Sequence, residues 1–165
     1  MFALLEEYLK KNYVQEEKVP ETPQKCEILF QTTFDPIQNF DDLGEYVNEQ
    51  KDSFSQYLID LIKAHGMENA DVYKAANLDR QYFSKLISES IKPSKEKLLL
   101  IAVAMKLNIT ESSEMLSKAG YSFSTCSKSD LIFKFHIERE DFDMDSIYKA
   151  HVFFDAGVKM FGDFN

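Results

Sequence analysis

Between residues 53 and 120 capping residues, apolar positions in helical phase and stop signals at Gly66, Asn77 and Gly120 mark out five short helices. Ser53 with Gln56 three residues on is a capping-box pattern. After it, Phe54, Tyr57, Leu58, Leu61 and Ile62 recur at i, i+3, i+4, i+7 and i+8, so they share one face until Gly66 ends the helix. A short helix is expected from Asn69 to Ala76, bounded by Asn77. Asp79 caps the next, Arg80 to Ser88, with Phe83, Leu86 and Ile87 inward. Pro93-Ser94 opens a fourth, to Leu107, with Leu98, Ile101, Ala102 and Met105 in phase, and Thr110 caps a fifth, to Ala119 before Gly120. Segments this short cannot stand alone in water, so they must pack on one another as a helical bundle.

The flanks are organised differently. Residues 2–12 place Phe2, Leu5 and Leu9 at helical spacing. Pro20 and Pro23 then sit among charges, which reads as an extended linker or arm. Residues 26–34, CEILFQTTF, are β-prone, and 40–50 suit an acidic helix. Beyond Gly120, Ser127 with Asp130 opens an apolar helix over 131–137, Asp143 caps a last one, and an aromatic tail follows. The expected architecture is therefore mainly α. An acidic N-terminal helix and arm (1–52) precede the bundle (53–120) and a C-terminal helical extension (121–165), which is a candidate association surface.

The stretch NADVYKAANLDRQYFSKL (69–86), followed by KPSKEKLLLIAVAMKLNITE (92–111), resembles the Cro/repressor-type, lambda-repressor-like helix-turn-helix family. It is also similar to an uncharacterised bacterial group with a VYKxAxxDRxxFSK signature. The first resemblance implies a five-helix bundle that binds DNA as a transcriptional regulator, its third helix lying in the major groove. Carried over by position, it puts Arg80, Gln81 and Lys85 at base edges. Arg and Lys donate to guanine, and Gln pairs with adenine. Asn69 opens the helix whose amide end faces a phosphate, and Lys92, Ser94 and Lys95 hold the backbone. The family pattern has a small residue where this chain has Tyr73, and a glycine where it has Asn77. Palindromic sites would call for a homodimer, for which 121–165 is the natural surface.

Charge narrows the reading. The formal net charge is −9, yet residues 1–52 hold five lysines against twelve acids, while 53–120 hold nine basic residues against eight acids. The acidity lies outside the bundle, where an arm could cover a basic face or dock on a basic partner. A helical protein-interaction adaptor that kept the fold without binding DNA is therefore the competing expectation.

Catalytic and metal signatures are weak. No Gly-rich phosphate loop, H-E-x-x-H or G-x-S-x-G occurs, and an enzyme or a cofactor is not expected. Asp141, Asp143 and Asp145 open like a calcium loop, but Ser146 replaces its glycine and Val152 its bidentate glutamate, so a turn and helix cap are expected instead. Cys126, His136 and His151 lack ligand spacing, and the histidines are expected to pack rather than ligate. Two cysteines fit a reducing cytoplasm. The opening residues lack a basic n-region and a cleavage site, and no apolar run is long enough to span a bilayer.

Overall fold

The computed structural model describes residues 2–14 and 53–161, and the expected arm, strand and acidic helix between them lie outside these residues. Among the described residues there are eight α-helices and no strand. These are α1 (Phe2–Asn12), α2 (Phe54–Ala64), α3 (Asn69–Ala75), α4 (Arg80–Ile87), α5 (Lys95–Ala104), α6 (Ile109–Lys118), α7 (Lys128–Glu138) and α8 (Met144–Phe153). A single 3₁₀ turn, Lys159–Phe161, follows them. Among the described residues no helix is long and apolar enough to cross a membrane.

The caps set the starts. Ser53 accepts from the Gln56 amide at 3.3 Å, and Asp79 accepts from the Gln81 and Tyr82 amides at 2.7 and 3.1 Å. Ser127 and Asp143 do the same for α7 and α8. One cap differs from expectation: Asn108, not Thr110, begins α6. Its side chain accepts from the Thr110 and Glu111 amides, both at 2.9 Å, and the Glu111 carboxylate accepts from the Asn108 amide at 3.0 Å. This reciprocal pair needs three-residue spacing, which Asn108 and Glu111 have and Thr110 lacks.

The stops are uniform. Each of α2 to α8 is followed by one residue at positive φ: Gly66, Asn77, Glu89, Lys106, Gly120, Glu140 and Asp155. The next amide then reaches back five residues, as Leu107 does to the Ala102 carbonyl at 2.9 Å. This is why α5 ends at Ala104 rather than at Leu107 as expected.

α5 is the centre. Leu98 to Val103 are all buried, so this helix is enclosed all round instead of offering one apolar face. α3 and α6 pack on it, α2 lies against α4 and α6, and α4 lies against α3. α6 then meets α7, and α7 carries both α1 and α8. The core is thus continuous from 53 to 161. The boundary expected at residue 52 separates α1 from the helix it packs on: Leu5 and Leu9 are buried there, and the Tyr8 hydroxyl donates to Glu138 at 3.0 Å. The aromatic tail docks on the body through Phe161, whose ring meets Phe133, Tyr148 and His151.

Candidate nucleic-acid interface

α3 and α4 are joined by the four residues Ala76–Asp79, and Asn77 takes the left-handed turn at φ 50°. Asparagine tolerates this where most side chains do not. Val72, Ala76, Leu78, Phe83 and Leu86 fix the pair against the core. The far end of α4 is tied down as well, because the buried Ser55 hydroxyl donates to the Ile87 carbonyl. α4 is therefore held by its cap, its inner face and its C-terminus.

What α4 leaves outside is Arg80, Gln81, Ser84 and Lys85, all exposed, and none of its eight residues is acidic. Ser84 lies one turn beyond Arg80 on the same face and is not among the contacts that the resemblance implies. Its i+4 spacing from Arg80 was the available signal. Between α3 and α4 runs a cleft of about 320 Å³ lined by Asn69, Tyr73, Arg80, Phe83, Ser84, Ile87 and Ser88. Asn69 and Arg80 thus share one surface feature.

Tyr73 forms part of this cleft. It is half-buried, and its ring lies 6.0 Å from that of Phe83. The deeply buried α3 positions are Val72 and Ala76, one turn apart. The bulky side chain is accommodated at the edge of the helix pair, where the cleft opens.

The remaining expected contacts are largely committed to the fold. The Lys95 ammonium pairs with the buried carboxylate of Asp130, which also accepts from the Ser124 amide at 2.7 Å. Lys95 is thus a strut between α5 and α7 rather than a cation held ready for phosphate, as the sequence suggested. Ser94 caps α5 by accepting from the Lys97 amide at 3.4 Å. Lys92 is exposed and lies over the Tyr121 ring at 5.5 Å from its centre. At the start of α3, Glu68 and Asp71 flank Asn69, and the Asp71 carboxylate accepts from the Glu68 amide at 3.1 Å. Two carboxylates already answer the positive end of that helix, which disfavours a phosphate there. Asp79 and Glu89 bracket α4. The cationic surface of α4 is therefore narrow, Arg80 and Lys85, while Lys74 on α3 and Lys92 after α4 are exposed as well.

Elsewhere, Asp143 of the aspartate run caps α8, accepting from the Ser146 amide and hydroxyl at 3.1 and 2.7 Å, so the run serves as a helix start. His136 and His151 are both fully buried. His136 Nδ1 lies 3.0 Å from the Asp141 carboxylate, while His151 bridges the Ile147 carbonyl at 2.8 Å and the Ser129 hydroxyl at 3.0 Å. Burial pushes both imidazoles below their ordinary pKa, opposed in His136 by Asp141 and in His151 by the Ile147 carbonyl. Cys126 is exposed, and among the described residues no group of three His, Cys, Asp or Glu side chains is placed to hold a metal ion. Compared with protein-family models, with curated proteins and with solved structures, the chain matches none.

Proposed function

We propose that α2 to α6 form a lambda-repressor-like bundle that binds duplex DNA with the exposed face of α4, and that the chain acts as a cytoplasmic transcriptional regulator rather than an enzyme. One observation carries this reading: an acid-free helix with Arg80, Gln81, Ser84 and Lys85 exposed together, anchored at both ends and preceded by a helix and a short turn. Rigid presentation of such donors is what base reading in a major groove requires. In this reading the exposed Lys74 and Lys92 supply backbone contacts. With few cations present, affinity depends on base contacts more than on counterion release, so its salt dependence is shallow for a DNA-binding protein.

The test is a fluorescence titration of duplexes selected from a random pool, repeated over a range of salt. Arg80→Ala is expected to weaken the preferred site by about 1–3 kcal/mol and relax its sequence preference. Lys85→Ala is expected to do the same at its own position. Absence of binding at low salt to any pool, or variants that bind like the parent chain, would remove this reading.

A second reading rests on the cleft. Its walls, Tyr73, Phe83 and Ile87, are apolar, Arg80 stands among its lining, and Glu68, Asp71, Asp79 and Glu89 lie nearby in sequence. A helical adaptor would place an apolar peptide side chain in the cleft and a carboxylate on Arg80. Arg80→Ala would then abolish peptide capture in a protein that ignores DNA.

A further inference from the structure

The large hydrophobic side chains left exposed among the described residues are Phe2, Leu4, Val14, Val152 and Phe153, all on or beside α1 and the end of α8. They are not scattered. Phe2 and Phe153 stack at 5.1 Å between ring centres and 23° between planes, and Phe153 is still 62% exposed. Beside this pair lies a cleft of about 520 Å³ lined by Glu6, Leu9, Lys10, Tyr13, Lys128, Phe153 and Phe154. An aromatic knob thus adjoins an apolar hollow with a charged rim, outside the α3–α4 surface.

The charges select the occupant. Phe2, Glu6 and Lys10 form one row along α1, each a turn after the last. Glu6 and Lys10 pair within the chain at 2.8 Å while staying exposed. With Lys128, the charged lining of the cleft sums to +1 in a chain of net −9, so the chain's excess negative charge is not concentrated where two copies would meet. A two-fold axis across α1 runs the helices antiparallel and sets each Glu6 against the other copy's Lys10. The same operation carries each Phe2–Phe153 pair towards the Lys10 and Tyr13 end of the opposite cleft.

We infer that the α1–α8 face is a self-association surface on which a second copy of this chain docks with two-fold symmetry. This is independent of the DNA reading, and it differs from an association through residues 121–165 alone because α1 supplies the charged row. The experiment is sedimentation equilibrium of the full chain over a wide concentration range. A reversible dimer is expected at twice the 19.2 kDa chain mass. Phe153→Asp is expected to weaken it by about thirtyfold or more, as loss of a central aromatic anchor does. Residue 153 is exposed, so helical circular dichroism should be unchanged. Glu6→Lys and Lys10→Glu should each dissociate alone, yet associate when mixed, because the mixed pair restores the opposite charges of the parent at both contacts. A chain that stays monomeric at millimolar concentration overturns the inference. So does a dimer indifferent to Phe153→Asp and to the charge reversals.

Discussion

Lys95 and Lys85 are both lysines beside a cap or at the end of a short helix, and a one-dimensional reading gives them the same work. In the fold they separate. Lys95 is mostly enclosed and faces Asp130, whose side chain is nearly fully buried, whereas Lys85 stands in the open on α4. Removing one partner of an enclosed pair leaves the other charge without compensation, and that dominates its cost. Lys95→Met is therefore expected to destabilise the protein by about 3 kcal/mol in urea unfolding, moderated because the Ser124 amide and the Ser127 hydroxyl still donate to Asp130. Affinity for any α4 ligand, per folded molecule, should be unchanged. Lys85→Ala should show the reverse, with stability within about 0.5 kcal/mol of the parent and the ligand affinity reduced. If Lys95→Met instead weakened ligand binding at unchanged stability, Lys95 would belong to the interface. The partner of Lys95 lies 35 positions away in sequence, and no local pattern marks such a pair.

At the scale of elements, starts were legible and stops only partly so. Ser53, Asp79, Ser94, Ser127 and Asp143 announce themselves because a cap needs a short side-chain acceptor, which few residue types supply. The stops use one geometry, but only Gly66, Asn77 and Gly120 carry residues that signal it. Glu89, Lys106, Glu140 and Asp155 adopt the same left-handed backbone without any such mark, since packing after the helix imposes it. This misplaced the end of α5, and the enclosure of that helix hid its true face. The candidate site was legible to a similar extent: the exposed row on α4 follows from period and capping, whereas the Tyr73–Phe83 cleft depends on how α3 and α4 pack. Lys106 is exposed at φ 54°, so Lys106→Gly relieves backbone strain and loses little contact. A gain of about 1 kcal/mol is expected in thermal and urea unfolding, after the extra unfolded-chain freedom of glycine is offset. Asn77→Gly should gain less, because the Asn77 side-chain amide donates to the Phe161 carbonyl at 3.2 Å. An equal gain at both sites would mean that this tie to the C-terminal turn contributes nothing.

For the whole molecule, the two buried histidines of the C-terminal third are where mild acid is expected to act. His136 and His151 sit on α7 and α8, and Phe161 closes over His151 at 5.1 Å between ring centres. Both imidazoles have lowered pKa in the folded state, chiefly through burial, and His136 further lowers His151. The unfolded chain therefore takes up more protons than the folded one once pH falls below the ordinary imidazole value, near 6.5. Stability is fully retained above that value and declines below it, by at most about 1.4 kcal/mol per pH unit for each excluded proton. Asp141 works against the decline at His136, so the slope should fall short of two full protons. Asp60 and Asp143 have lowered pKa from hydrogen bonds, and their contribution is lost only as pH drops through the carboxylate range, a separate window. Urea unfolding at stepped pH from 8 to 5 should therefore show a loss beginning near 6.5. A double variant, His136→Gln with His151→Gln, first shown to be folded at pH 8, should lose that acid-side slope. Its persistence would place the acid sensitivity elsewhere. Its disappearance would assign the acid sensitivity to these two buried imidazoles, which α7 and α8 enclose in neutral form.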